Sequence, residues 1–391
     1  MKICVFTGTR AEYGLLTPLL KRLEADPDMK LTLLVTGTHL SERHGHTVDA
    51  IRADGFTIGA EVVLPLDDDS HLGVALAMGE AVSGCARALD GIKPDLLVLL
   101  GDRWECLACA TAANLISVPV AHIHGGETTE GAVDEQFRHA VTKLSRLHFT
   151  SCEPYRRRVI QMGEAPDTVF NVGALGVENV KTVPLMDREA LEADLGFSLG
   201  EKFLLVTYHP ATLAENGAAE TEGFFAGLEA VLAEAEPLKA VITGANADPG
   251  GSLVDARAAR LHDKFPGRTL VSPSLGLVRY LSAMGLCSAV VGNSSSGILE
   301  APSFKVPTVN VGDRQKGRER AASVFDCAPD ADAVARTLRR ALSPEGANIA
   351  KQARNPYEKY GTSQRMLDIL KQGAPNGAKP FFDIDYRLSK D

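Results

Sequence analysis

The sequence contains no long apolar run and no basic tract. No stretch approaches the ~18 apolar residues of a membrane-spanning helix, and the apolar part of the opening segment MKICVFTGTR is too short for a secretion signal. The formal net charge is −9, so electrostatic binding to nucleic acid or to an acidic membrane is not expected. We therefore expect a cytoplasmic protein with neither of these partners.

A disulfide framework and a metal cage are also missing. The seven cysteines are scattered and odd in number, which indicates reduced thiols. Cys106 and Cys109 form a C-x-x-C pair, but they lie in the alanine-rich helical segment WECLACATAANL without a second ligand pair. Because no H-x-x-x-H pair or Cys/His cage occurs either, we expect no metal and no cofactor.

Three common catalytic motifs do not occur. No G-x-G-x-x-G follows the first predicted strand, no G-x-x-x-x-G-K-[ST] is found, and no G-x-S-x-G is found. Dinucleotide redox chemistry, P-loop NTPases and serine hydrolases of the α/β type therefore lose their sequence support.

What the chain does have is an alternation of short apolar runs and helical segments. Ten runs are predicted strands: 2–8, 31–37, 95–101, 119–124, 147–150, 169–173, 203–209, 238–244, 288–293 and 307–312. Continuous apolar strands separated by helices are typical of parallel sheets covered on both faces. With 391 residues, the chain is predicted to form two doubly wound, Rossmann-like α/β domains, 1–180 and 181–391.

Ligands bind such sheets beyond the carboxyl ends of the strands, so the residues there are the candidates. Arg10 follows the first strand, His39 follows the second, and Asp102 and Arg103 follow strand 95–101. Taken singly, each is more often a solvated or helix-capping residue. Only their combination with the next strand end raises a functional hypothesis.

That strand runs into HIHGGETTEG, with His124 and Glu127, and the following helix carries Asp134 and Arg138 on one face. An acid at a helix N-terminus paired with a following base is a common structural feature. However, several carboxylates, histidines and arginines converge on neighbouring strand ends. This convergence favours acid–base chemistry, because neighbouring charges push pKa values apart.

In the second domain, His209 ends a strand, and GNSSSGILEAPSF places Ser294 and Ser295 before a predicted helix. Helix amides and hydroxyls together suit a diphosphate, whereas a simple N-cap would use only one serine. Glu300, about two turns along that helix, is a predicted acceptor for ribose hydroxyls. Arg314, in VNVGDRQKGR, supplies a cation beside the same pocket.

The motifs TGTRAEYG, VTGTHL, VLLGDR, HIHGGETTEGAVDEQFRHAVTKLSRLHF, VFNVGALGVEN, TYHPATL, VVGNSSSGILEAPSF and VNVGDRQKGR occur in this order between about residues 1 and 330. In this respect the chain resembles the hydrolysing UDP-N-acetylglucosamine 2-epimerases. The resemblance implies a GT-B-type fold with the active site in the cleft between the domains, sugar and proton chemistry in the first domain, UDP binding in the second, and a C-terminal segment that packs back on the first.

The activity that the resemblance implies is the conversion of UDP-GlcNAc and water into N-acetylmannosamine and UDP, at the entry to sialic acid biosynthesis. Loss of the C2 proton and departure of UDP give a glycal, to which water adds at C1 while C2 is protonated from the opposite face. No metal or nicotinamide takes part. We expect a homodimer or homotetramer.

Pattern and resemblance together assign two sets of residues. The predicted catalytic residues are Asp102, His124, Glu127, Asp134, Arg138 and His209. The predicted contacts to the UDP-sugar are Arg10, His39, Arg103, Gly173, Ser294, Ser295, Glu300 and Arg314. The chain departs from the family at one point, because several relatives read H-I-E-G-G-E where this chain has His124. Either His124 or Glu127 then carries the proton-transfer role, and a histidine titrates usefully near neutral pH.

Four alternatives stay open. The same chemistry on UDP-N,N′-diacetylbacillosamine would differ only at C4 and C6 of the sugar. A non-hydrolysing epimerase and a UDP-sugar glycosyltransferase would share the fold and the UDP site. A non-enzymatic UDP-sugar sensor would leave the clustered acids without a task. The acid-rich loop favours proton chemistry over sugar transfer.

Overall fold

The structure, a computed structural model, describes residues 1–42, 45–68, 70–130, 133–210, 216–234, 237–244, 250–375 and 377–385. The chain divides into two compact units. Unit 1 comprises Met1–Glu127, Val133–Glu178 and Lys359–Asp391, and unit 2 comprises Thr128–Ala132 and Asn179–Glu358. The chain passes into unit 2 two residues before the predicted boundary, and its last segment belongs to unit 1. Residues 128–132, which were predicted in the first domain, belong to unit 2.

Unit 1 is built on seven parallel strands. They are β1 (Lys2–Thr7), β2 (Lys30–Thr36), β3 (Ile58–Val62), β4 (Leu96–Leu100), β5 (Val120–Ile123), β6 (Leu147–Thr150) and β7 (Val169–Asn171). Their order in the sheet is β3-β2-β1-β4-β5-β6-β7. The direction of winding reverses between β1 and β4, so the carboxyl ends of these two strands form the switch point at which open parallel sheets bind ligands.

The first six helices connect successive strands of this sheet, and the seventh follows β7 and crosses from unit 1 into unit 2. They are α1 (Arg10–Ala25), α2 (Val48–Ala53), α3 (His71–Ile92), α4 (Trp104–Leu115), α5 (Asp134–Leu144), α6 (Glu153–Gln161) and α7 (Leu175–Thr182). Short 3-10 turns occur at Gly37–Leu40 and Pro166–Thr168.

Unit 2 repeats the design with six parallel strands. They are β8 (Phe203–Thr207), β9 (Lys239–Thr243), β10 (Thr269–Ser272), β11 (Ala289–Gly292), β12 (Thr308–Val311) and β13 (Val324–Cys327), in the order β10-β9-β8-β11-β12-β13. Its switch point lies between β8 and β11. The helices are α8 (Arg188–Leu195), α9 (Gly217–Glu234), α10 (Gly251–Lys264), α11 (Gly276–Leu286), α12 (Ser296–Leu299), α13 (Ala331–Leu342) and α14 (Pro344–Gln352), with a 3-10 turn at Ala301–Phe304.

The prediction of two doubly wound parallel sheets is confirmed, and each of the ten predicted strands has a counterpart. Three strands were missed: β3, β10 and β13. All three lie at sheet edges, where they are partly exposed and carry no continuous apolar run. Because an edge strand is partly exposed, it does not need the continuous apolar run from which the other strands were predicted.

One prediction about apolar segments is wrong. The helix α3 is long and apolar enough, by length and composition alone, to cross a membrane. In unit 1 it packs against α4 and β3 and contributes Ala81, Cys85 and Leu89 to a buried cluster. A core helix of a folded domain has the same properties.

The predicted thiols are free, as expected. Six of the seven cysteines are buried, including Cys106 and Cys109 on α4. Burial raises the pKa of both thiols well above the usual value, and Cys106 Sγ donates to the carbonyl of Leu100 at 3.3 Å. Both residues therefore serve as small core residues under the sheet.

The C-terminal helix α15 (Thr362–Leu370) completes the core of unit 1. Its residues Met366, Leu367 and Leu370 lie in the cluster formed by α1 and the first sheet. Buried Glu178 accepts hydrogen bonds from the backbone N–H and the hydroxyl of Ser363, at 2.7 and 2.9 Å. The helix is therefore an integral layer of the unit.

We expect Leu370→Ala to lower the free energy of unfolding of unit 1 by about 2–5 kcal/mol, because it leaves a cavity where a fully buried side chain stood. Trp104, the one tryptophan of the chain, lies in unit 1, so urea unfolding followed by its fluorescence measures the effect. Leu115→Ala, at a leucine of the same unit that is 76% exposed, is the control and should change the value by less than about 0.5 kcal/mol. Equal effects of the two variants would contradict this role of α15.

Candidate active site

The end of β1 holds a buried carboxyl group. Glu12, on the first turn of α1, is 7% exposed and accepts a hydrogen bond from the backbone N–H of Gly8 at 2.8 Å. Burial raises the pKa of Glu12 to about 7; the positive charge of Arg103 opposes the rise, and the negative charges of Glu105 and Asp102 add to it. A carboxyl group that titrates near neutral pH at a switch point is suited to proton exchange.

The end of β4 supplies the charges that surround Glu12. Gly101 has a φ of 88°, a left-handed conformation that glycine adopts without strain, and Asp102 and Arg103 follow this turn. Arg103 binds the buried carboxylate of Glu105 through two nitrogens, at 3.0 and 3.2 Å. Asp102 is ion-paired with Arg138 of α5.

The guanidinium of Arg138 is the most deeply buried charge of the predicted site, with 1% exposure. Besides Asp102, it binds Glu135 Oε2 at 2.5 Å and the carbonyl oxygen of Glu127 at 2.8 Å. The planar donor fork of arginine suits several acceptors at once. Arg138 thus joins the strand ends of β4 and β5 to α5, which is a structural role in the predicted constellation.

Asp134, the first residue of α5, differs from Asp102 in its surroundings. Burial raises the pKa of Asp134, and the charge of Asp102 raises it further. Arg138 forms ion pairs with Asp102 and Glu135, and its positive charge opposes the rise in the pKa of Asp134, the acid four residues earlier that the helical spacing pointed to. Two aspartates side by side, one paired with arginine and one with a raised pKa, can divide proton handling between them.

The loop after β5 brings together the two groups that the sequence left as alternatives. His124 Nδ1 lies 3.5 Å from Glu127 Oε1, and both side chains are buried. Ser151 donates to the same Glu127 oxygen at 2.7 Å. His124 has a φ of 69°, which is uncommon for a residue with a Cβ. Such conformations cluster at functional sites.

Three predicted contact residues lie elsewhere in unit 1. Arg10 is exposed at the start of α1. His39 is fully buried, and its two ring nitrogens are bonded to the hydroxyls of Thr7 at 3.0 Å and Thr47 at 2.8 Å, so the structure favours a supporting role for it. Gly173 follows the edge strand β7, three strands from β4, and a Cβ there would come within 2.6 Å of Lys359 Cβ. Packing alone explains this glycine.

In unit 2, Asn293 ties together the two strand ends of the switch point. Its side chain accepts from the backbone N–H of His209 and donates to the carbonyl of His209, both at 2.8 Å. Gly292 before it has a φ of 135°, and a Cβ there would lie 1.9 Å from Thr207 O. Only glycine allows this close approach of β11 to β8.

The serine-rich segment begins a shorter helix than predicted. The helix α12 has four residues, Ser296–Leu299, and Glu300 follows it directly, one turn along rather than two. The chain then enters a 3-10 turn that contains Pro302, which has no backbone N–H to continue an α-helix. A four-residue helix contributes little dipole. The hydroxyls of Ser294, Ser295 and Ser296 and nearby cations must therefore carry any affinity for an anion.

The cation is Arg314. Its Nη1 donates to the carbonyl of Asn293 at 3.2 Å, and the amide nitrogen of Gln315 donates to the same carbonyl at 3.0 Å. Burial, together with the positive charge of Arg314, lowers the pKa of His209 to about 4. His209 is therefore neutral at physiological pH and can exchange hydrogen bonds with a diphosphate without adding charge.

Four residues of these two clusters were not predicted from the sequence: Glu12, Glu135, Asn293 and Gln315. The spacing Thr9-x-x-Glu12 is that of a helix capping box, which gave the glutamate a plain structural explanation. Thr9 does cap α1 by accepting from Glu12 N at 3.3 Å, but the Glu12 carboxylate binds Gly8. Only the folded structure shows that the Glu12 carboxylate binds the N–H of Gly8.

Comparison with known proteins gives a consistent result. Residues 21–371 match the family model described as UDP-N-acetylglucosamine 2-epimerase. The chain is 35% identical to the polysialic acid biosynthesis protein P7 of Escherichia coli, over 98% of this chain and 97% of that protein. It is 37% identical to the GDP/UDP-N,N′-diacetylbacillosamine 2-epimerase (hydrolyzing) of Campylobacter jejuni, over 83% of this chain and 84% of that one.

Solved structures agree on the fold. A UDP-N-acetylglucosamine 2-epimerase from Listeria monocytogenes superposes with a TM-score of 0.80 at 18% identity, over 95% of this chain and 96% of that one. The UDP-GlcNAc 2-epimerase of Neisseria meningitidis bound to UDP-GlcNAc gives a TM-score of 0.78 at 19% identity, over 95% of this chain and all of that one. These likenesses confirm the predicted fold class.

The raised pKa of Glu12 predicts a pH-dependent stability. The folded state keeps a proton that the unfolded chain loses above pH 4.5, so this contribution is complete below pH 4.5 and is lost as the pH rises to about 7. We expect Glu12→Gln to become more stable relative to the wild type across this window, by up to about 3 kcal/mol. Urea unfolding followed by Trp104 fluorescence at several pH values measures the difference.

The control for this experiment is Glu24→Gln, which makes the same change on the exposed face of α1. Its stability difference from the wild type should not vary with pH. A flat difference for Glu12→Gln as well would show that Glu12 ionises at its ordinary pH.

Proposed function

Since the chain belongs to the UDP-N-acetylglucosamine 2-epimerase family, we propose that it is a hydrolysing UDP-sugar 2-epimerase that converts UDP-GlcNAc and water into N-acetylmannosamine and UDP. The single observation that carries the proposal is the cluster of Asp102, Asp134 and Arg138 at the switch point of unit 1. An enzyme that only transferred the sugar would need no such group of acids around the C2 proton.

In the first stage, a base removes the C2 proton while the bond between C1 and the diphosphate oxygen breaks. The electron pair of the C2–H bond forms the C1=C2 double bond of a glycal, and UDP leaves with the electrons of the broken bond. Asp134 is the proposed base. Its raised pKa makes it a stronger base than an ordinary carboxylate, and the negative charge of Asp102 beside it favours proton uptake.

The leaving diphosphate gains negative charge as the bond breaks. The guanidinium of Arg314 and the hydroxyls of Ser294 and Ser295 are the proposed groups that stabilise this charge. Neutral His209, beside Arg314, is the proposed hydrogen-bond partner of the diphosphate or of the sugar. Glu300, 9% exposed, is the proposed acceptor for ribose hydroxyls.

In the second stage, the electron pair of the C1=C2 double bond takes up a proton at C2 from the opposite face. The oxygen of water bonds to C1 and water gives up one proton to a carboxylate of the site, so that a C1 hydroxyl remains. Both faces of the sugar need an acid–base group, so a second proton carrier must exist besides Asp134. The contact between His124 and Glu127 supports this pair as the second carrier. Hydrogen bonding from Ser151 holds the carboxylate in place while the proton moves.

A second candidate substrate is UDP-N,N′-diacetylbacillosamine. It is favoured by the names of two relatives, the Campylobacter jejuni enzyme and one from Legionella pneumophila that is 36% identical over 95% of each chain. The C2 chemistry would be unchanged, because the two sugars differ at C4 and C6. The two proposals therefore share every residue named above.

Incubation with UDP-GlcNAc in D2O, followed by NMR, tests the reaction. We expect UDP and free N-acetylmannosamine that carries deuterium at C2, since solvent supplies the proton that is added there. The same incubation with UDP-N,N′-diacetylbacillosamine tests the second substrate. Epimerised sugar that is still attached to UDP would contradict the hydrolysing reaction, and hydrolysis without deuterium at C2 would contradict the glycal.

We further expect Asp134→Asn to reduce kcat by at least about a hundredfold, because the amide cannot accept the C2 proton. UDP affinity, measured by isothermal titration, should stay within about twofold of the wild type, because this residue lies in unit 1 and the proposed UDP groups lie in unit 2. Glu153→Gln, a carboxylate-to-amide change at the start of the neighbouring α6, should leave kcat unchanged. Loss of UDP binding in Asp134→Asn would remove the proton role.

A further inference from the structure

Five hydroxyl groups in unit 2 form a continuous chain of hydrogen bonds. Thr243 Oγ1 lies 2.8 Å from Thr207 Oγ1, which lies 3.3 Å from the phenol of Tyr280. The phenol lies 2.6 Å from Ser296 Oγ, which in turn lies 3.0 Å from Ser294 Oγ. This chain of hydrogen bonds thus runs from the ends of β8 and β9, through Tyr280 of α11, to the serine segment after β11.

The chemistry of the phenol gives this chain a direction. A phenol is a more acidic donor than an aliphatic hydroxyl, and the shortest bond of Tyr280 is to Ser296. Burial raises the pKa of Tyr280, so the phenol keeps its proton at any physiological pH. When Tyr280 donates to Ser296, Ser296 is free to donate to Ser294. The hydroxyl proton of Ser294 can then be donated to an acceptor that is not one of these five hydroxyl groups.

The Ser294 end of this hydrogen-bond chain lies beside a cation and beside a buried acceptor, two groups that a nucleotide can contact. Arg314 is bonded to the carbonyl of Asn293, the residue before Ser294. Gln315, bonded to the same carbonyl, is 3% exposed, and its Oε1 has no hydrogen-bond partner among the residues that the structure describes. A buried acceptor without a donor is expected where a ligand supplies the donor. Because phosphate oxygens are themselves acceptors, a hydroxyl or N–H group of the nucleotide would supply this donor, and Arg314 would face the phosphates.

We propose that Tyr280 is a positioning residue for the diphosphate: through Ser296 it orients the Ser294 hydroxyl so that its proton points to a phosphate oxygen. Each donor in such a chain is polarised by the one before it, which strengthens the last bond. This inference rests on the proposed function, since it assumes that unit 2 binds UDP. It adds a residue on α11 that does not itself touch the nucleotide.

Tyr280→Phe tests the proposal, because it removes the phenol oxygen and keeps the ring. We expect the Kd for UDP, measured by isothermal titration, to rise about three- to tenfold, the size of one hydrogen bond. The Kd for uridine, which has no phosphate, should stay unchanged. Equal weakening of both ligands would mean that Tyr280 only shapes the site as a whole, and it would overturn the proposal.

A double-mutant cycle checks that Tyr280 acts through Ser296. Ser296→Ala should weaken UDP binding by a similar factor, and the double variant should lose no more than Ser296→Ala alone. Tyr357→Phe is the control, because it removes a phenol hydrogen bond elsewhere in unit 2, to the carbonyl of Glu319 at 2.8 Å. It should leave the Kd for UDP within about twofold. Fully additive losses in the cycle would overturn the proposal.

The result with the wild-type protein separates this inference from the proposed function. If the wild type does not bind UDP, both fail. If the wild type binds UDP and Tyr280→Phe binds it equally well, only the positioning role of Tyr280 fails.

Discussion

A guanidinium that water cannot reach must have its charge balanced by protein groups, and Arg138 imposes this requirement on unit 1. Its acceptors come from three segments: Asp102 after β4, the carbonyl of Glu127 after β5, and Glu135 on α5. Satisfying one cation therefore fixes three segments against each other at hydrogen-bond distance. Asp134, next to Glu135, gains its place at the strand ends from the same anchoring.

The ion pairing of Arg138 also explains why neighbouring carboxyl groups differ in their surroundings. Asp102 is paired with arginine, whereas burial raises the pKa of both Asp134 and Glu12, and the charge of Asp102 adds to each rise. In unit 2, the side chain of Asn293 holds the two strand ends through neutral hydrogen bonds, and Arg314 donates to the backbone carbonyl of the same residue. Under the proposed function, unit 1 supplies the proton carriers and unit 2 supplies the groups that bind the diphosphate.

The fold and most strand ends could be predicted from the sequence, because buried parallel strands appear in it as continuous apolar runs. It failed at the edge strands β3, β10 and β13, where partial exposure removes that signal. It also placed Glu300 one turn too far along its helix, since a proline two residues later ends α-helical bonding. Glu12 has the spacing of an ordinary helix-capping residue, and His39 has the strand-end position expected of a ligand contact. Only the partners of a side chain distinguish such cases.

The return of the chain to unit 1 has a consequence for biosynthesis. Unit 2 is essentially one continuous stretch, Asn179–Glu358, whereas the core of unit 1 includes Met366, Leu367 and Leu370 from α15. During synthesis on a ribosome, the part of unit 1 that precedes unit 2 lacks this layer of its core until α15 has emerged. The face of α1 that packs against α15 therefore stays uncovered while the whole of unit 2 is synthesised, and unit 1 can be completed only after unit 2.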